Sequence, residues 1–218
     1  MTNEEKIKLI TRNLEEVLTV EDLQSLIEKK TPLKHYIGYE ISGKIHLGTG
    51  LTTSLVTRDL QKAGVNCTIF LADWHTWLNH KLGGDKETIG RVAVGYFKEG
   101  LKASLRCVGA DPDKIKFILG SELYHHNDKH WETFIKTCQN LSLARVQKSL
   151  SIMGREMGEG IDFGMLLYPP LQVTDIFSLG VNLAHGGTDQ RKAHVLMREV
   201  GNQVAGYKAV ALHNHLIL

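Results

Sequence analysis

Cysteine is scarce in this 218-residue chain: Cys67, Cys107 and Cys138 are odd in number, far apart and never in a C-x-x-C pair. That excludes a disulfide framework and a cysteine zinc site, and it fits a reducing compartment. Charge of one sign is not in excess either. Lys and Arg number 26 against 24 Asp and Glu, a formal net charge of +2, so contact with a polynucleotide would be a local patch rather than the whole surface. No apolar run reaches bilayer-spanning length, and the opening MTNEEKIKLITRN has no signal-peptide core. A cytoplasmic protein with no membrane association is expected. Repeats and low-complexity tracts are lacking as well.

What is present is ordinary globular usage, 42% apolar and 23% charged, in a length that one core can serve. Thr2-Asn-Glu-Glu5 and Thr19-Val-Glu-Asp22 are capping signals, and Ile7, Ile10, Leu14 and Leu18 recur at helical spacing. Two helices therefore open the chain. His35–Glu40 and Asn66–Ala72 are β-rich runs separated by one helix over Leu47–Ala63, which makes a β-α-β unit. A further helix is expected over Lys86–Val108, with strands over Lys114–Leu119, Val181–His185 and Lys208–His213. This alternation predicts an α/β fold with a doubly wound, mostly parallel sheet. Residues 122–179 read as a mainly helical insertion, interrupted at Gly158, Gly160 and a Tyr168-Pro-Pro170 turn. The closing HNHLIL resembles a strand, so the domain is expected to continue beyond it.

The glycine-dense stretch YIGYEISGKIHLGTG, residues 36–50, follows the first of these strands. Gly43 and Gly48 have P-loop spacing, but Thr49 and Gly50 stand where its Lys and Ser/Thr belong. The dinucleotide fingerprint fails too, because Thr53 occupies the place of its third glycine. A helix starting near Leu47 would aim free N–H groups at an anion, and glycine would let the backbone approach it, so phosphate is the expected ligand. His46 could then donate a ring N–H to a phosphate oxygen as charge develops. Alternatively, His46 caps the helix and the glycines simply turn the chain.

His46-Leu-Gly-Thr49 resembles the H-I-G-H signature of class I aminoacyl-tRNA synthetases. With LADWHTWLN, YPPLQVTDIFSLGV and GGTDQRKAHVLMRE in the same order, the chain resembles the archaeal and eukaryotic type of tyrosyl-tRNA synthetase over nearly its whole length. The resemblance implies a Rossmann-like catalytic domain over residues 1–218. It implies activation of L-tyrosine by ATP, taken as its Mg2+ complex, and transfer to tRNA(Tyr). A homodimer joined through the helical insertion is also implied.

By the same resemblance Tyr36 and Asp175 hold the substrate phenol, and Tyr168, Gln172 and Gln190 bind its α-ammonium group, with His75 lining that side of the pocket. Gly38 and Glu40 border the adenylate, Gly187 approaches the adenosine, Asp189 takes the ribose hydroxyls, and His46, Gly48 and Thr49 meet the phosphates. The chemistry is consistent. A carboxylate that accepts the phenol O–H is left unpaired when phenylalanine binds, which is heavily penalised in a buried site. Leu171, Val173, Ile176 and Phe177 crowd Asp175, so burial is expected there. Tyr168, Gln172 and Asp175, spaced by four and three, share one helix face.

Thr49 replaces the second histidine of the signature and Ile41 the proline of E-P-S-G. The K-M-S-K-S loop and the anticodon-binding domain are not found. His126 and His130, four apart, suggest a metal site, but no further ligands accompany them, so they read as surface residues and no protein-bound metal is expected. His213 and His215 fall on opposite strand faces, with His213 expected near the nucleotide. Three rivals stand beside this reading. One is a tryptophan-specific sibling or another H-x-G-H nucleotidylyltransferase, against which Tyr36 and Asp175 speak. Another is a non-catalytic tyrosine- or ATP-binding module, and the last is one piece of a split enzyme that needs a second chain.

Overall fold

The computed structural model describes residues 1–154 and 160–216, so Gly158 and the last two residues of HNHLIL lie outside the described residues. Helix α1 (Asn3–Thr11) starts at a capping box in which Thr2 and Glu5 satisfy each other's backbone N–H. A short strand β1 (Glu16–Leu18) follows, then α2 (Val20–Glu28), capped by the Thr19 hydroxyl. Strand β2 (Lys34–Glu40) leads through the glycine loop into α3 (Thr53–Lys62) and β3 (Asn66–Ala72). Next come α4 (Asp73–Leu78), α5 (Lys86–Val92), α6 (Glu99–Cys107) and β4 (Lys116–Leu119). Among the described residues, four α-helices lie between β4 and β5: α7 (Gly120–Tyr124), α8 (Asp128–Gln139), α9 (Leu143–Ser149) and α10 (Tyr168–Ser178). Strand β5 (Leu183–Gly187), α11 (Arg191–Val204) and β6 (Val210–Asn214) complete the order.

The six strands form one sheet in the order β1-β6-β5-β2-β3-β4. All pairs are parallel except β1 with β6. The order of the strands along the chain reverses between β2 and β5, and the carboxyl ends of those strands, Glu40 and Gly187, open a crevice of the kind that receives ligands in such folds.

The pleat sends alternate residues of each strand to opposite faces. Ile37, Tyr39, Ile69, Leu71 and Leu183 enter one core with Leu23, Leu60 and Leu101 from the helices of the first half. Tyr36, Phe70, Ala72 and Ala184 enter the other with Leu171, Ile176 and Met197 from the second half. Helix α10 is buried from Tyr168 to Phe177, so it is a central element and carries no solvent face.

Several local expectations are corrected. The Tyr168-Pro-Pro170 segment is the first turn of α10 and not an interruption, because the N–H groups that proline lacks have no helical acceptor there. The expected helix over 47–63 begins as a π-type turn, Leu47–Thr52, and the one over 86–108 contains another, Ala93–Lys98. Lys114 belongs to a 3-10 turn rather than to β4. Strands β5 and β6 begin two residues later than expected, which takes Gly186 and Gly187 into β5. His126 and His130 do not share a helix: His126 sits in the turn before α8 with φ of 48°, and His130 is buried on α8 against the Ser178 hydroxyl. The expectation of surface histidines therefore fails for His130.

Candidate active site

A cavity of about 550 Å³ opens at the crevice between β2 and β5. Tyr36, Gly38, Glu40, His46, Gly48, Thr49, His75, Tyr168, Gln172, Gly187, Asp189 and Gln190 all line it. Asp175 lies beneath the lining, wholly buried, with its Oδ2 3.6 Å from Nε2 of His75. One residue set drawn from four distant sequence blocks thus converges on one site.

The base of the cavity is aromatic. Tyr36 packs on Phe70, Phe70 on His75 and Tyr124, and His75 edge-on against Tyr168 at 4.6 Å. Asp175 Oδ2 accepts a hydrogen bond from the Tyr124 hydroxyl at 3.1 Å, while Oδ1 is buried with no hydrogen-bond partner among the described residues. Burial holds the Asp175 carboxyl well above the usual carboxylate range, and the Tyr124 hydrogen bond opposes that shift. Desolvation also pushes the His75 imidazole down to about 3, with His130 adding to it, so His75 is neutral at physiological pH. Burial, and the Asp175 charge beside it, raise Tyr36 well above the ordinary phenol range, so it keeps its proton.

One wall is polar and comes from α10 and the turn after β5. Gln172 donates to Oε1 of Gln190 at 3.1 Å, and Gln190 donates to the Ile152 carbonyl at 3.1 Å and to Asp189 at 2.6 Å. Oε1 of Gln172 is buried and unpartnered, which leaves an open acceptor for a cationic donor. At the rim Glu40 accepts from the Asn79 amide at 2.7 Å and from the Tyr168 hydroxyl at 3.4 Å.

The glycine loop forms the opposite side. His46 caps the π turn: its Nδ1 accepts from the Gly48 N–H at 3.2 Å, and the Thr49 hydroxyl accepts from the His46 N–H at 3.1 Å. Since Nδ1 accepts, the proton of the neutral ring resides on Nε2. Of the two alternatives left open by the sequence, the cap is the one the structure shows, and the ring keeps an N–H at Nε2. The glycines serve several ends. Gly43 has a φ of +65° and turns the loop, whereas a methyl on Gly50 would lie 2.8 Å from Ile45 and 2.9 Å from the Ser104 hydroxyl on α6. Gly50 thus admits a helix, not a ligand. Lys44, in the same loop, is the one lysine or arginine that lines the cavity among the described residues.

His213 is not in the cavity lining, contrary to expectation. It is buried on β6, bonded to His194 at 2.9 Å and Glu16 at 2.8 Å, and it is Asn214, His215 and Leu216 that reach the rim. A second buried chain links His35 to His185 at 3.0 Å and His185 to Asn214 at 3.0 Å. Sequence reasoning also missed Tyr124, Asn79 and the Ile152–Gly154 edge. Tyr124 is hidden by the histidines that follow it, since His126 and His130 read as surface residues.

The family profile described as tRNA synthetases class I (W and Y) matches residues 28–218. The tyrosine–tRNA ligase of Thermococcus sibiricus is 52% identical over 228 residues, covering 100% of this chain and 60% of that protein. That of Thermococcus onnurineus is 54% identical, covering 98% and 59%. The crystal structure of tyrosyl-tRNA synthetase complexed with L-tyrosine from Pyrococcus horikoshii superposes with a TM-score of 0.96 at 51% identity, over 100% of this chain and 61% of that one. The chain spans about 60% of the length of the curated relatives it matches.

Proposed function

The chain belongs to the class I tRNA synthetases of the tryptophan and tyrosine group, and from that membership we propose that it carries the tyrosine and ATP sites of an archaeal-type tyrosine–tRNA ligase. The tyrosine carboxylate attacks the α-phosphorus of ATP and pyrophosphate leaves with Mg2+; a ribose hydroxyl at the 3' end of tRNA(Tyr) then attacks the tyrosyl carbonyl of the adenylate, and AMP leaves. No covalent bond to the protein is required, so rate comes from positioning and from stabilising charge on the transferring phosphoryl group.

In this reading the phenol O–H donates to Asp175 beside Tyr36. Gln172, Tyr168 and Gln190 receive the α-ammonium group, with the unpartnered Oε1 of Gln172 as its acceptor. Asp189 takes the ribose hydroxyls where Gly187 leaves room, and Gly38 and Glu40 flank the adenylate. Nε2–H of His46 meets the phosphates, beside the Gly48 and Thr49 turn. Lys44 adds the positive charge that a triphosphate needs. The enzyme works in the cytoplasm as a homodimer joined through the helices between β4 and β5, where Ile135 is 54% exposed beside Trp131.

The observation that carries the reading is the buried Asp175 with one open oxygen at the base of an aromatic cavity. Phenylalanine offers that oxygen no donor and the tyrosine phenol does, while the choice of tyrosine over an indole N–H is supported by the tyrosine–tRNA ligases the chain is similar to. The test is tyrosine binding by the chain, followed by tyrosine-dependent exchange of pyrophosphate into ATP, alone and with the complementary C-terminal segment of a relative. Binding with weak exchange that the added segment restores is expected. Absence of tyrosine binding would overturn the assignment.

A further inference from the structure

Asp175 has two carboxylate oxygens, and the fold treats them differently. Oδ2 is occupied by the Tyr124 hydroxyl at 3.1 Å, while Oδ1 has no partner among the described residues. Tyr124 is the last residue of α7, just after β4 and outside the sequence blocks that line the cavity, and it is itself buried. Its ring is clamped by Trp74 at 5.2 Å, His130 at 4.5 Å and Trp131 at 5.8 Å, so the hydroxyl cannot swing away. We infer that Tyr124 is a positioning residue for substrate selection: by holding Oδ2 it turns Oδ1 of Asp175 into the single seat for the substrate's para-hydroxyl.

The inference rests on the tyrosine-site reading and goes beyond it by explaining how one carboxylate discriminates. An ionised Asp175 rejects phenylalanine because a buried charge would be left with an unfilled oxygen, whereas a protonated one would leave only a neutral group, at a smaller penalty. Selection therefore depends on keeping the carboxylate ionised and aimed. The groups around it are Tyr36 on β2, Asp73 and His75 on α4, Tyr124 on α7 and, behind Tyr124, His130 on α8. Burial and the Asp73 charge disfavour ionisation, and the Tyr124 hydrogen bond favours it. Burial and the Asp175 charge in turn raise the Tyr124 phenol, so Tyr124 stays a donor.

Tyr124→Phe keeps the ring and removes only the hydroxyl. Tyrosine and phenylalanine dissociation constants are measured by calorimetry for both proteins across pH 5 to 8, with thermal unfolding to confirm that ring packing persists. In the variant, tyrosine binding weakens roughly ten- to a hundredfold, as for loss of a hydrogen bond to a charged group, and phenylalanine binding changes little. The tyrosine-to-phenylalanine ratio falls accordingly. On acidification, the loss of tyrosine affinity sets in at higher pH than in the parent, because the unassisted carboxyl takes up its proton sooner. A purely structural tyrosine would weaken both ligands alike and leave the acid limb unmoved, and that result would overturn the inference while the tyrosine site stands. If the parent binds no tyrosine, the functional reading and the inference fall together.

Discussion

The hydroxyl of Tyr36 lies over the backbone of Gly38, two residues on in the same strand, where a methyl group would stand 2.5 Å from the oxygen. The absence of a side chain at 38 is therefore what lets Tyr36 point along the cavity base. Gly38→Ala is expected to dislodge that hydroxyl and to weaken tyrosine binding about five- to a hundredfold, since forcing a packed side chain to shift costs about 1–3 kcal/mol. Calorimetric titration checks it, and an unchanged affinity would remove Tyr36 from the phenol site.

Asp175→Asn preserves shape and removes the charge. Discrimination between tyrosine and phenylalanine should drop by roughly ten- to a hundredfold, the worth of a hydrogen bond to a charged acceptor. Because burial disfavours the charged form, thermal stability is expected to be unchanged or slightly raised. A variant that unfolds, or one that keeps its selectivity, would contradict this account of the pocket.

His46→Ala removes the Nε2 donor and the cap together. In the exchange-competent form, kcat for ATP–pyrophosphate exchange is expected to fall about 10²–10³-fold, as for loss of one donor to a transition-state charge. Tyrosine affinity should be unaffected, because His46 sits on the glycine-loop side of the cavity. Equal losses in both would place His46 in the scaffold and not at the phosphates.

Acid sensitivity follows from the buried histidines. His35, His75, His185 and His194 are held below the ordinary imidazole range chiefly by desolvation, His75 to about 3 and His185 to about 4. In the unfolded chain they titrate near about 6.5. Below that pH the unfolded chain binds protons that the folded one refuses, so their contribution is present above about 6.5 and is lost on acidification, with a slope of about 1.4 kcal/mol per unit for each. Asp175, raised by burial, runs the other way and opposes that loss. Urea unfolding should show a loss of at least about 2 kcal/mol between pH 7 and 5, steeper still in Asp175→Asn. A flat profile would mean that these imidazoles are not held neutral.

The parts legible in the sequence were those with local signals. The β2-α3-β3 unit carries its own periodicity, and Asp175 is conspicuous as an acid inside the apolar run of α10. The parts that were not legible depend on partners far along the chain. Strand β1 is three residues long and exists because Glu16–Leu18 pairs antiparallel with Ala211–His213. The His35–His185 and His194–His213 contacts join separate elements, and no spacing rule announces them. Tyr124 and His130 lie in a run whose composition suggests exposure, yet both are buried because α8 packs against α10.

The alternation of strand β2 divides the protein's tolerance of change into two kinds. Ile37 and Tyr39 pack with the helices of the first half, which reach the cavity on its glycine-loop side through Thr53 and Phe97, so damage there would loosen the molecule before it altered the aromatic base. Tyr36, with Phe70 beside it, belongs to the layer that also holds Tyr124 and Leu171. On that side the packing of the interior and the shape of the binding site are a single surface, and a substitution deep in the hydrocarbon would register first as a change in ligand choice.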